Sequence, residues 1–417
     1  MMATHDNERL WRFALLGAIL MVGCFLRFYG LDEQGFFFSD EGTFAAWGRN
    51  MMQDAPHTIS ARPAHALMVF LSFRLFGFSM ASAVTMSAIV GMATLIVIYL
   101  LANRLYGPVA ALFSCAIAAT MPYLLLYHRV AMTEANCLGF MTLGFALGGM
   151  VLVSWAEANG SAPGHRAPYL FLLLAGAALG LAYDAKPPGL LGLLSLLATL
   201  LVWRVQRRLS TRSVLIAGLL LLAGAFIAHE ALNLSMRHFV SHEQASSVIR
   251  REVKGFLGIG PFVQIEFQPG AKFLVHFCLF AGAMPMLLGA LGAVVAIKRR
   301  NPADVCVLAL AALCLAYSIR ANLPLPRVHT PFLIPAVLLG GLGGASLVRM
   351  LQRLIRSCCG NAILARSRSR QTSDSPPEGQ TERAEFWRDG YRESSCLTRR
   401  NPFSSRKRVS ERSIAQP

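Results

Sequence analysis

The residues best suited to chemistry in this sequence are charged side chains set against apolar runs. The first group is Ser39-Asp40-Glu41, close behind Phe36-Phe37-Phe38. Aromatic side chains hold a segment at a membrane–water interface. A carboxylate kept there is partly desolvated, which raises its basicity. Such a group can take a proton from a hydroxyl as that hydroxyl attacks. The plainer alternative for Asp40 and Glu41 is a solvated or helix-capping carboxylate. The second group centres on Glu134, in Tyr127-His128-Arg129-Val130-Ala131-Met132-Thr133-Glu134, where an apolar run begins. An acid at the end of a membrane span is tolerated when it faces protein or a cavity. Asp40 and Glu134 could converge on an acceptor, or on a divalent cation bound through oxygen ligands.

Two cations stand out beside these acids, in Arg62-Pro63 and in Lys186-Pro187-Pro188-Gly189. A pair of cations at bilayer depth suits a lipid-linked phosphate. They would bind it and neutralise charge developing on it as it leaves. Side chains that merely reach out to headgroups are the alternative. His238 and His242 have i,i+4 spacing. The zinc pattern H-E-x-x-H is absent, because Asn233 stands where His229-Glu230 would need its second histidine. This stretch reads as surface or substrate-contact sequence.

The elements that must position these residues are membrane helices. Of the 417 residues, 55% are hydrophobic and 15% charged. Soluble domains carry roughly 25% charged residues, and disorder needs low hydrophobicity. The net charge is nevertheless +17. That combination fits either a nucleic-acid binder or a multi-span protein with its Lys and Arg gathered on one side. Runs near the roughly 17–25 residues needed to cross a bilayer occur at 13–29, 81–101, 108–126, 134–154, 169–185, 187–203, 213–232, 273–297, 304–319 and 330–349. The run 66–78 is shorter and is interrupted by Arg74, which suits an interfacial or re-entrant helix.

With the N-terminus inside and 66–78 not spanning, four basic clusters fall in the cytoplasm. They are Arg104, Arg204/Arg207/Arg208/Arg212, Lys298/Arg299/Arg300 and Arg349/Arg353/Arg356. This is the side Lys and Arg prefer. The fold expected is an all-α polytopic bundle of ten transmembrane helices, or eleven if 66–78 also spans. Most of the positive charge then marks orientation in a membrane, not nucleic acid. Arg9 and Arg12 precede a first helix that reads as uncleaved. Residues 1–355 form the membrane domain, with large extracytoplasmic loops at 30–80, carrying interfacial helices, and at 233–272. Residues 360–417 read as a disordered basic cytoplasmic tail, able to lie on anionic headgroups. Of the 9 cysteines, six lie in apolar runs as small buried hydrophobes.

The order of these motifs resembles the GT-C superfamily of polytopic glycosyltransferases. Within it, the chain is most similar to the protein O-mannosyltransferase-like group, which includes the aminoarabinose lipid A transferases. Leu26-Arg27-Phe28-Tyr29-Gly30-Leu31 followed by Ser39-Asp40-Glu41 resembles the family's first-loop acidic motif. Arg62-Pro63 with Leu71-Ser72-Phe73-Arg74-Leu75-Phe76-Gly77 is similar to its Lys-Pro…Leu-Phe-Gly segment. Asn103-Arg104-Leu105-Tyr106-Gly107 matches a recurring turn. Tyr127 to Glu134 is similar to its second acidic motif, and Gly180 to Gly189 to its Lys-Gly-Pro turn. The family often has Asp at Glu134, Lys at Arg62, and Pro and an aromatic at Ala64 and His65.

The resemblance implies an inverting glycosyltransferase that moves a sugar from a polyprenyl-phosphate donor to a lipid, glycan or protein acceptor. Asp40 would be the base, with Glu41 in support. Glu134 would orient acceptor or metal. Arg62, Lys186 and Arg129 would hold the lipid phosphate. The setting would be a bacterial inner membrane, with the site facing the periplasm. A lipid-linked sugar flippase or transporter is the competing class. It would place charges near the bilayer midplane, whereas here they gather at span ends.

Overall fold

The computed structural model describes residues 2–59, 61–158, 167–241, 267–320, 327 and 329–373. The chain divides into units 1–351 and 352–417. The helices, in order, are α1 Met2–Phe28, α2 Ser39–Met52, α3 Pro63–Phe76, α4 Met80–Tyr106, α5 Pro108–Thr120, α6 Pro122–His128 and α7 Thr133–Glu157. They continue with α8 Ala167–Ala185, α9 Leu190–Val205, α10 Thr211–Ser235, α11 Phe267–Arg299, α12 Pro302–Arg320 and α13 Leu333–Ser373. The expected all-α membrane bundle is therefore present. Among the described residues, nine helical segments are long and apolar enough to cross a bilayer, and α5 with α6, bent by 60°, make a tenth if they form one span.

α3 has 14 residues. At about 1.5 Å per residue it reaches roughly 21 Å, short of a hydrocarbon core of about 30 Å. Residues 360–373 continue helical. The rest of the expected tail, 374–417, and most of the loop expected at 233–272, from 242 to 266, lie outside the described residues.

The break between α5 and α6 has an identifiable cause. Pro122 has no N–H, so the carbonyl of Ala118 loses its helical partner. Arg27, fully buried near the end of α1, takes over that role. Its guanidinium donates to Ala118 O at 3.0 Å, Ala119 O at 3.2 Å and Gly23 O at 3.1 Å, and to His128 Nδ1 at 3.2 Å. A buried cation is tolerated here because carbonyl oxygens surround it. Elsewhere small residues bring helices together. A Cβ on Gly176 of α8 would lie 2.1 Å from Leu221 O of α10, and one on Gly224 of α10 would lie 2.1 Å from Leu173 O. Close backbone approach of this kind is how helices associate where lipid removes the hydrophobic drive.

Opposite the basic clusters, α2 and α3 form a cap with its own apolar core. Phe44, Trp47, Met51 and Ile59 pack with Tyr127, Met132, Leu232 and Val240. A short backbone pairing ties the first loop to the segment after α10. Ile59 N–H donates to Phe239 O at 2.9 Å, and Ser241 N–H to Ile59 O at 2.9 Å. The cap is therefore fixed to the bundle by both packing and hydrogen bonds.

Candidate functional site

α2 begins at the acidic motif, and its first turn sends two adjacent carboxylates in different directions. Glu41 is fully buried. Its Oε1 accepts the N–H of Phe37 at 2.8 Å and of Phe38 at 2.9 Å, and its Oε2 accepts the N–H of Ala131 at 2.7 Å. A carboxylate in the first turn satisfies amides that a helix start leaves open. Here it also pins the α6–α7 connection to the first loop. Asp40 points the other way. Its Oδ2 pairs with Arg327 Nη1 at 2.7 Å, with the two side chains 47% and 35% exposed.

Ala131 is held from its other side as well. His65, buried in the first turn of α3, donates from Nε2 to Ala131 O at 3.2 Å, and its Nδ1 accepts from Asn136 Nδ2 at 2.8 Å. Burial pushes the His65 pKa down to about 4, which keeps the ring neutral in this role. The connection so clamped leads into α7, where Glu134 lies in the first turn. Glu134 is buried, and its Oε1 pairs with Lys186 Nζ at 2.5 Å. Its Oε2 accepts from Thr133 Oγ1 at 3.2 Å.

Lys186 owes its position to the turn that follows it. Pro187-Pro188-Gly189 forms a single 3-10 turn against the end of α8. A Cβ on Gly189 would meet the backbone of Ala182 at 2.4 Å, so only glycine lets the turn close this far. Two residues before Lys186, Asp184 Oδ1 and His229 Nδ1 are 2.7 Å apart and brace α8 against α10.

Arg62 sits at the start of α3 with φ 59° and ψ 55°. A residue before proline normally stays extended, and the left-handed region costs a non-glycine residue about 1–2 kcal/mol. Strain of this kind gathers where a side chain must be aimed. Arg62 lies within electrostatic range of His65 and of Cys137, and Lys186 and Glu134 also act on Cys137. Arg327 likewise reaches Glu134 and Tyr127 electrostatically. Asp40, Arg62, Glu134, Lys186 and Arg327 thus belong to one neighbourhood at the end of the bundle away from the basic clusters.

Arg129 is engaged differently. Its Nε donates to Gln34 Oε1 at 3.0 Å and its Nη1 to Leu26 O at 2.8 Å, while Gln34 Nε2 donates back to Arg129 O. The guanidinium ties the first loop to the α6–α7 connection. Glu41 and Arg129 are thus engaged by the backbone and side chains of the loops around them, while Asp40, Glu134, Arg62 and Lys186 gather at the same end of the bundle.

Arg327 and His65 are additions. Arg327 meets the criterion that singled out Arg62 and Lys186, a cation at the end where cations are scarce. His65 had a signal in its departure from the family's usual aromatic.

Asp40 and Glu134 are each already paired with a cation. Among the described residues, no three His, Cys, Asp or Glu side chains converge as metal ligands, where a hard cation takes about six oxygens. His238 faces Asp54 at 3.5 Å on the exposed surface, and His242 lies outside the described residues.

Residues 54–229 match the family model for dolichyl-phosphate-mannose-protein mannosyltransferase. That segment holds Arg62, Arg129, Glu134 and Lys186. Among solved structures, the chain is similar to ArnT from Cupriavidus metallidurans, with a TM-score of 0.55 and 21% identity over 86% of this chain and 64% of that one. It is also similar to the archaeal oligosaccharyltransferase AglB from Archaeoglobus fulgidus, with a TM-score of 0.59 and 14% identity over 84% of this chain and 52% of that one. These likenesses show a shared fold. The chain spans about two thirds of the length of ArnT and half that of AglB. No curated protein sequence matches it significantly. Within this fold, the acidic start of α2, the start of α7 and the turn after α8 lie at one end of the bundle.

Proposed function

We propose that this chain transfers a sugar from a polyprenyl-phosphate donor to an acceptor hydroxyl, with inversion, at the membrane face opposite its basic clusters. The observation that carries this reading is the alternation of charge at that face. Two acids from separate helices, Asp40 and Glu134, are each paired with a cation, Arg327 and Lys186, and Arg62 stands beside them. The matched family model and the fold support the same class. ArnT has been solved bound to undecaprenyl phosphate, and AglB with an inhibitory peptide and a dolichol phosphate. A bacterial inner membrane with the site on the periplasmic side fits this orientation.

In this mechanism the acceptor hydroxyl approaches Asp40, the half-exposed acid. Asp40 takes its proton as the oxygen attacks the anomeric carbon. The bond from that carbon to the phosphate oxygen breaks, and the polyprenyl phosphate leaves with the electron pair. Lys186, Arg62 and Arg327 stabilise the charge that gathers on it. Arg327 then has two possible partners, Asp40 before the donor arrives and the phosphate afterwards. Moving to the phosphate frees the Asp40 carboxylate to face the acceptor. Glu134 holds Lys186 in place and orients the acceptor. Glu41 and Arg129 act through the loop they fix.

The test is transfer in membranes carrying the full chain, with a radiolabelled polyprenyl-phosphate sugar as donor. Asp40→Asn at normal expression should cut product at least roughly a hundredfold. Undiminished transfer by that variant would remove Asp40 as the base. The chemistry of the donor that is consumed, hexose or pentose, would come from the same assay.

A further inference from the structure

The bundle has a second feature at its basic end, far along the helices from the acids. The C-terminal turns of α7, the start of α8 and the start of α10 enclose two adjoining cavities. One is apolar, about 260 Å³, with Leu147, Met150, Val151, Pro168 and Phe171 in its wall. The other is about 270 Å³ and is lined by Trp155, Tyr169, Arg212, Ser213 and Ile216. Trp155 lines both.

The second cavity offers hydrogen-bond donors and no acid. Trp155 is 2% exposed and its indole nitrogen is itself buried, so the ring serves as the wall the two cavities share. Arg212 is exposed and makes no ion pair or hydrogen bond among the described residues. Tyr169 packs edge-on against Trp155 with ring centroids 5.7 Å apart. The nearest acid along α7, Glu157, is already held by Arg104 at 2.9 Å. Arg204, Arg207 and Arg208 precede this start of α10, which adds to the positive potential there.

We infer that this paired cavity binds an anionic phospholipid of the leaflet at the basic end. Its phosphate would sit against Arg212 beside Tyr169, and an acyl chain would lie in the apolar cavity on the other side of Trp155. The occupant follows from the charge and from the split lining. An anionic headgroup suits a cavity whose guanidinium has no acid partner among the described residues, and only a lipid also fills the apolar half. This site lies at the opposite end of the bundle from the donor site proposed above and does not depend on it.

The test uses the full chain, reconstituted in vesicles of phosphatidylcholine and phosphatidylglycerol, then extracted and examined for retained lipid by native mass spectrometry. Phosphatidylglycerol should be retained over phosphatidylcholine. Arg212→Gln should lower its retention roughly ten- to a hundredfold, as expected for a hydrogen bond to a charged group. A phosphatidylglycerol with a photoactivatable acyl chain should label residues 147–155 or 167–171. Inorganic phosphate should not displace it. Four results would each overturn the inference: equal retention of the two lipids, retention unchanged in Arg212→Gln, label placed elsewhere, or displacement by inorganic phosphate alone. Arg212 is exposed, so its variant tests the site without disturbing the packing of the helices.

Discussion

Asp40 and Arg327 lie 287 positions apart in the chain and form a 2.7 Å ion pair. The pair joins the start of α2 to the turn before α13, the two ends of the membrane domain. Both side chains are partly exposed, so the contact contributes under about 1 kcal/mol to stability. Its significance lies in what it positions. In the proposed reaction Asp40 accepts the proton and Arg327 meets the phosphate. Asp40→Asn should therefore cut transfer roughly a hundred- to ten-thousandfold, the range for loss of a general base. Arg327→Gln should cut it roughly a hundred- to a thousandfold, as for loss of one charge-stabilising donor. Both variants should keep wild-type expression and thermal stability in detergent. A drop in melting temperature that tracked the loss of activity would mean the pair is structural.

Glu41 should behave in the opposite manner to its neighbour. It accepts three backbone N–H groups, from Phe37, Phe38 and Ala131, and is fully buried. In Glu41→Gln one oxygen becomes an NH₂ that faces a donor. At least one amide then loses its acceptor, at about 1–3 kcal/mol. The expected result is a lower melting temperature with transfer reduced in proportion to the folded fraction. An unchanged melting temperature with lost transfer would instead put Glu41 among the reacting groups.

These two neighbours also show what a sequence can reveal here and what it hides. The spans are legible because a bilayer demands length and apolarity, and both are local properties. Lys186 and Glu134 are legible because charges at span ends are rare on the side where basic residues are scarce. Asp40 and Glu41 cannot be separated by type or spacing. Successive helical residues point about 100° apart, so one enters the protein and the other faces the site. Which one does so depends on where Ala131 and Arg327 lie, and these come from distant parts of the chain. Arg129 shows the same limit. It sits in the right motif, yet its guanidinium is taken up by Gln34 and Leu26 O.

His65 carries a pH dependence of stability. Its folded pKa is about 4, lowered by burial from an ordinary 6.5. The unfolded chain thus binds a proton more readily than the folded one. The stabilisation is complete above pH 6.5 and is lost as pH falls, ending near pH 4, where both states are protonated. The full change approaches roughly 3 kcal/mol. Comparing wild type with His65→Gln across pH 7 to roughly 4 isolates this contribution from that of the carboxylates. The wild-type melting temperature should fall more steeply with acid. Parallel curves would show that His65 does not titrate in this window.

The Glu134–Lys186 pair separates stability from chemistry most cleanly. Glu134 is buried and Lys186 nearly so, with side-chain exposures of 0% and 14%. Removing one partner strands the other charge, which typically costs 3–5 kcal/mol, whereas removing both can be close to neutral. Lys186→Met and Glu134→Gln should each destabilise the protein, and the double variant should recover much of the lost melting temperature. Transfer should not recover with it. Lys186 is proposed to meet the leaving phosphate, and no neutral pair can replace that charge. A double variant that regained both stability and transfer would reduce the pair to a structural strut. The phosphate would then be left to Arg62 and Arg327. Recovery of stability alone would place Lys186 in the reaction, with Glu134 as the group that holds it ready.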